Sequence, residues 1–347
     1  MATPTWRTLK DNPSLWERYF LREKVLAHIR KFFASQKFHE VETPILIAHP
    51  PAESYLDVFE TTLLDRKRKP QKAYLSTSPE VPLKKLLVAG IGNCYSLTKS
   101  FRNMETGGIL HNPEFTLLEW YRVGADYTKT MEDCEKLIFQ IYTTIFHKES
   151  LVYQGKTIAL SPPWDRMSVT QAFHTFAGVN FDEFFDEQNA RTIANKKGYR
   201  VEEKTTWEEL YNQIFLNEIE SHLGREKPII LFDFPAVTAA LCRKKVSDPR
   251  FKERFEVYIA GLELADAYSE LTDWQEQEKE FQKEIAELKR LGKTTYAYDE
   301  DFLEALKAGL PQSSGIAVGI DRLIMLFADV TDIADVLFFP AKELFGV

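Results

Sequence analysis

Two arginines, two glutamates, an aromatic and a set of glycines have the types and spacing to do chemistry. Arg102 closes the run CYSLTKSFR, and Arg322 follows GIAVGID. A guanidinium offers a planar fork of donors that matches phosphate and carboxylate oxygens. Glu263 and Glu270 frame LADAYS, and one or two carboxylates plus phosphate oxygens suit Mg2+. Their spacing of seven is odd, so a regular strand would send them to opposite faces; they converge only if ADAYS holds a bulge or a turn. Phe115 offers a face to a base, and glycines near the arginines let a nucleotide lie against backbone. Such a set holds and polarises phosphates without a side-chain nucleophile, because a positioned substrate carboxylate can itself attack the α-phosphate. Taken singly, each member has a plainer reading. An arginine is also a salt-bridged surface residue, Phe115 a core residue, the glutamates solvated or paired carboxylates, and His111 a turn residue. GxxxxGK[ST], GxGxxG, HExxH and GxSxG are all missing from the sequence, so the residues alone reach a nucleotide or phosphate enzyme and no further.

The elements that must position these residues are legible as periodicities. Residues 14–35 carry Leu15, Tyr19, Val25, Leu26, Ile29, Phe32 and Phe33 at largely helical spacing. In TSPEVPLKKLLVAG, Ser78 suits a cap, Pro79 a first helical position and Gly90 the residue past the end. NCYSLTKSFR and Glu114 to Arg122 alternate as two strands of a hairpin around a glycine-bearing loop. Phe115, Leu117, Glu119 and Tyr121 then share one face. A helix is expected over 130–150, a mixed insertion over 165–227, strands over 253–272, a charged helix over 274–291, and a strand entering a helix near Asp321. Mostly antiparallel strands with helices between them indicate an α+β fold rather than repeated βαβ units.

The 347 residues, 44% hydrophobic and 28% charged, can bury a real core. A net charge of -8 argues against a protein held on nucleic acid by bulk charge. Cys94, Cys134 and Cys242 are widely spaced without a CxxC pair, which suits a reducing compartment. The N-terminus lacks the apolar centre of a signal peptide, and no apolar run has the length of a membrane span. The expectation is a cytoplasmic protein without a membrane partner.

As a set, the residues resemble a known family. EVETPIL around Pro44, FRNMETGGILHNPEFTLLEWYR and GIAVGIDR resemble motifs 1, 2 and 3 of class II aminoacyl-tRNA synthetases. HNPEFT, ELADAYSEL and ADVLFFP are similar to lysyl-tRNA synthetases, across about residues 15 to 340. TSPEVPLKKLL and LLEWYR are also similar to their truncated paralogues, the elongation factor P (R)-β-lysyl ligases, as is Ala317, where lysyl-tRNA synthetases usually have glycine. Motif 1 begins within the first 45 residues, so a preceding anticodon-binding domain is not expected. The resemblance implies one class II catalytic domain over 1–347, an antiparallel sheet flanked by helices, with the insertion at 165–227. It implies a homodimer formed through motif 1.

The resemblance also implies roles. Arg102 would hold the α-phosphate and the attacking carboxylate, and Arg322 the γ-phosphate. Glu105, His111 and Asn112 would reach ATP, Phe115 would stack on adenine, and Leu264 and Gly319 would lie against the nucleotide. Glu263 and Glu270 would bind Mg2+. Ser78, Pro79, Glu80, Tyr121, Glu270 and Ala317 would line the amino-acid pocket, where carboxylates match a substrate with two ammonium groups. The implied reaction uses ATP and Mg2+ to make an aminoacyl-adenylate of lysine or β-lysine, and passes the acyl group to a lysine of elongation factor P, with no stable tRNA binding. Transfer to tRNA, or a non-catalytic binding or regulatory subunit, are the other outcomes of this resemblance. Three features depart from the pattern. Met104 stands after FRN, no arginine lies between Arg102 and His111, and Ala267 stands where many relatives have glycine, which would narrow the pocket.

Overall fold

The computed structural model describes residues 4–238 and 240–346. Its largest element is an eight-stranded sheet, numbered here in chain order: β1 His39–Glu40, β2 Cys94–Phe101, β3 Glu114–Val123, β4 Asp165–Ser168, β5 Ile229–Pro235, β6 Phe251–Ile259, β7 Leu262–Ser269 and β8 Ser313–Gly319. The spatial order is β1-β2-β3-β8-β7-β6-β5-β4. The central pairs are antiparallel, but β1 lies parallel to β2 and β4 parallel to β5. The sheet is therefore mixed rather than wholly antiparallel. Parallel neighbours need long crossovers, and both edge strands have one. The segment expected as an insertion supplies the second, so its first four residues, β4, belong to the sheet itself.

Apolar alternation decides what each face meets. Leu118, Trp120, Ile316, Val318, Ala265 and Ala267 point to one side. There the helices Trp16–Ser35, Tyr127–Phe146 and Ile320–Phe327 bury Val25, Ile29, Phe33, Ile138 and Ile324. Ala267 thus packs in this core and does not narrow the pocket. The expected helix over 130–150 spans Tyr127–Phe146 and stops at His147, whose φ of 54° ends the helical path. On the other face, the helices Glu80–Val88, Trp274–Arg290 and Glu300–Gly309 close only one part of the sheet. Between them and the helices that follow β4 lies a cleft. Helices between 169 and 214 form their own core around Phe173, Phe181 and Leu210, seated on Leu231 of β5 and Tyr258 of β6. Among the described residues, no helix is long and apolar enough to cross a membrane.

Candidate active site

Cross-strand register builds the cleft floor. Ser96, Glu119, Ala317, Asp266 and Glu256 are successive partners across β2, β3, β8, β7 and β6. One pleat away run Cys94, Tyr121, Gly315, Tyr268 and Arg254. Gly315, Ala317 and Gly319 keep the middle of this floor low. A Cβ on Gly315 would stand 2.4 Å from Tyr121 Cε1 and 2.6 Å from Glu270 Oε1. A Cβ on Gly319 would meet only Leu264 O at 3.9 Å and Arg322 Cδ at 4.0 Å, so protein packing does not require glycine there.

The odd spacing of the two glutamates is resolved by a bulge. Tyr258 pairs with Glu263 and Val257 with Ala265, leaving Leu264 as the extra residue. The bulge lies one residue ahead of ADAYS. Leu264 and Ala265 both enter the helix-side core, while Glu263, Asp266 and Tyr268 are half-buried on the cleft side. Leu264 can therefore offer a nucleotide its backbone and not its side chain.

Sharing a face does not bring Glu263 and Glu270 together. Seven residues of strand span on the order of 20 Å, and the partners of the two differ. Glu263 is at the Arg322 end: Arg322 Nη1 donates to its carbonyl at 2.8 Å and approaches its carboxylate at 3.4 Å. Arg322 also donates to Leu110 O at 3.3 Å and meets His111 Nε2 at 2.7 Å. Glu105 lies 3.4 Å from the same imidazole. Burial and the Arg322 charge lower the His111 pKa, so the ring is neutral at pH 7 and accepts from the guanidinium. Glu105, His111, Arg322 and Glu263 thus form one group. Asn112 does not join it: its amide donates to Glu114 O at 2.6 Å and accepts from Ala341 N at 2.9 Å. Met104 is exposed at a φ of 63° and takes no part.

Arg102 lies at the other end of the same hairpin loop. Its guanidinium stands 5.2 Å from the Phe115 ring centroid, and its buried Nε has no protein partner. A buried unpartnered donor beside an aromatic ring suits an anionic ligand carrying a planar base.

Glu270 is instead the floor of a buried pocket. Lys84 Nζ is 2.5 Å from Glu270 and 2.5 Å from Glu80. Tyr268 donates to Glu80 at 2.5 Å, and Tyr121 to Glu119 at 2.6 Å. Glu80 begins its helix with Pro79 at the cap, and the Ser78 hydroxyl accepts from Glu80 N at 3.4 Å. Burial pushes Glu270 up to about 8, against the pull of Lys84. Burial, then the Glu80 charge, hold Glu119 well above its usual range. Burial opposes the charge on Lys84, but Glu270 and Glu80 outweigh it and raise its pKa. Three carboxylates around one ammonium form a site short of positive charge.

Three of these residues escaped the sequence reading. Lys84 stood in plain view in PLKKLL, but its spacing of four from Glu80 carries no sign of burial. Glu119 was placed on the correct face without a role. Glu256, on β6, is held by Arg254 at 2.7 Å and Tyr258 at 2.6 Å. Burial, with the Glu263 and Asp266 charges, raises it to about 8 despite Arg254. Its closeness to Glu263 depends on β6–β7 register, which the sequence does not print.

The class II tRNA synthetase (D, K and N) family model matches residues 5–343. This chain belongs to that family. It is 38% identical over 325 residues to an elongation factor P--(R)-beta-lysine ligase of Avibacterium paragallinarum, covering 93% of this chain and 94% of that protein. It is 34% identical over 337 residues to a lysine--tRNA ligase of Moorella thermoacetica, and 35% over 329 residues to one of Carboxydothermus hydrogenoformans. The chain spans 66% of the length of each of these two ligases. Family membership accounts for the mixed α+β sheet flanked by helices.

Proposed function

We propose that this protein is an ATP-dependent ligase that activates (R)-β-lysine, or lysine, as an aminoacyl-adenylate and transfers the acyl group to a lysine side chain of elongation factor P. The observation that carries this reading is the pocket of Glu80, Glu119 and Glu270 around Lys84. Fully ionised, it lacks two positive charges, and either lysine isomer brings two ammonium groups. Both isomers bring a carboxylate as well, which Arg102, with its unpartnered Nε, would draw toward the α-phosphate. The choice of acceptor rests on the likeness to the Avibacterium ligase, matched over 94% of its length, and on Ala317 of motif 3. The net charge of -8 gives no general attraction for tRNA.

In this reading ATP lies with its adenine on Phe115 and its triphosphate running past Gly319 to Arg322. His111 keeps Arg322 turned toward the cleft through its 2.7 Å contact, with Glu105 behind it. Glu256 and Glu263 would hold Mg2+, in place of the Glu263–Glu270 pair expected from sequence. They fit a divalent cation, because burial, and then the Glu263 and Asp266 charges, raise Glu256 to about 8, and a bound cation would offset both. Mg2+ there would neutralise charge on the phosphates. The substrate carboxylate attacks the α-phosphorus, pyrophosphate leaves, and the acyl group then passes from the adenylate to the acceptor amine.

We further propose a cytoplasmic homodimer whose chains each act as one catalytic domain, the helices after β4 being its insertion. The dimer reading is supported by exposed Ile45 and Leu46 in motif 1, and by Leu63 and Leu64 on the small sheet that Leu46 joins. The test of function is the intact mass of elongation factor P after incubation with this protein, Mg-ATP and either isomer. One lysyl increment is expected, in higher yield with (R)-β-lysine. No increment, with lysine charged onto bulk tRNA, would replace the acceptor. ATP binding without pyrophosphate exchange would replace the ligase by a binding subunit.

A further inference from the structure

Residues 48–59 cross the mouth of the cleft, and the chemistry above leaves them without a role. Hydrogen bonds on both sides of Glu53 and Tyr55 fix this loop. Tyr296 donates to Pro51 O at 2.9 Å, and Ser54 N donates to Glu284 at 2.7 Å. Lys293 donates to Tyr55 O at 3.0 Å, and Asn103 N, next to Arg102, donates to Asp57 O at 2.7 Å. Glu53 and Tyr55 are thereby projected into the cleft. The Tyr55 hydroxyl donates to Glu53 Oε1 at 2.7 Å. Tyr55 remains 65% exposed, so the recess is open to a large molecule at this point.

The charges facing Glu53 come from every side: Glu80 from the pocket helix, Arg102 from the end of β2 and Glu284 from the helix Trp274–Arg290. Tyr55, Tyr268 and Tyr296 complete the surroundings. Burial and then Glu80 push the Glu53 carboxyl up to about 7, while Tyr55 and Arg102 pull it down. No other role described for this site uses a carboxyl that takes up protons near neutrality beside Arg102.

We propose that Glu53 is the general base of the second half-reaction, taking a proton from the acceptor's lysine ammonium as that amine reaches the adenylate. This rests on the ligase reading above. A lysine amine with a pKa near 10.4 is neutral in only roughly one molecule in 2,500 at pH 7, so transfer to it requires a proton acceptor, whereas adenylate formation does not. One ammonium proton passes to the Glu53 carboxylate. The freed lone pair forms the N–C bond. The C–O bond to phosphate then breaks, AMP leaves with its electron pair, and the second nitrogen proton goes to water.

The test uses the full chain, with adenylate formed from ATP and (R)-β-lysine and then chased with elongation factor P in a single turnover. Pyrophosphate exchange is measured in parallel. For Glu53→Gln, transfer is expected to fall about 10²–10⁴-fold, with pyrophosphate exchange changed only a few-fold. Wild-type transfer should rise through about pH 7, following Glu53, and Glu53→Gln should lose that rise. Glu53→Asp should restore part of the rate. Tyr55→Phe should move the rise to higher pH, because its hydrogen bond lowers Glu53. Transfer by Glu53→Gln within about threefold of wild type, or an unchanged pH rise, would overturn the role of Glu53 and leave the ligase reading standing. Parallel loss of pyrophosphate exchange would overturn it too, by making Glu53 part of the ATP site or the fold. A wild type that forms adenylate but never loads the acceptor would remove both readings.

Discussion

Glu270→Gln separates the proposed binding role of the buried Glu80–Glu119–Glu270 cluster from its part in the fold. Glu270 is buried and displaced from 4.5 to about 8. A carboxyl whose pKa is raised by folding contributes most stability below its unfolded value of 4.5, and that contribution is lost as pH rises through about 8. At about 1.36 kcal/mol per pH unit, the full displacement is on the order of 5 kcal/mol. At pH 6 the group is protonated, and glutamine imitates it, keeping an acceptor 2.5 Å from Lys84. Because the unfolded wild-type carboxyl ionises above 4.5, the variant should exceed wild-type stability by about 2 kcal/mol at pH 6 and by about 5 kcal/mol at pH 9. Ligand binding should respond in the opposite sense. A substrate ammonium needs the ionised carboxylate, and losing one partner of a buried charge pair costs about 2–5 kcal/mol, roughly 30- to 4,000-fold in affinity. Wild-type Glu270 should also release about 0.9 of a proton on binding at pH 7, one unit below its pKa. Urea unfolding at the two pH values gives the first quantity. Calorimetric titration with lysine in buffers of different ionisation enthalpy gives the others. A variant that binds lysine as wild type does, or is destabilised equally at pH 6 and 9, would refute the reasoning.

The remaining predictions concern the other parts of the site. Arg102→Ala and Arg322→Ala should each lower pyrophosphate exchange by about 10²-fold or more; near wild-type rates in both would sink the phosphate assignments. Gly315→Ala places a Cβ 2.4 Å from Tyr121 and 2.6 Å from Glu270, so it should cost about 1–3 kcal/mol in urea unfolding and raise the KM for lysine more than that for ATP. Asp321, buried between Arg22 and Thr116 N, fixes motif 3 against β3; Asp321→Ala leaves the arginine uncompensated and should cost about 3–5 kcal/mol in the same assay.

What could be read from the sequence is what depends on near neighbours. Strand alternation placed Phe115, Glu119 and Tyr121 on one face, because side-chain direction follows a period of two whatever the strand meets. Helical spacing found the helix Trp16–Ser35, and turn residues found the motif 2 hairpin, since both are governed by chemistry within a few residues. The order of the motifs was sufficient for the family. Tertiary structure decided whatever depends on register and burial. The bulge at Leu264 turned an odd spacing into a shared face, yet the length of β7 kept Glu263 and Glu270 apart. Pairing of β6 with β7 brought Glu256 into play, and the chain segment at Ala341 claimed Asn112. Lys84, Glu119 and Glu53 look like ordinary charges in the sequence. They gain their character only when distant segments exclude water around them, because the free energy of a charge is set by its surroundings and not by its neighbours along the chain.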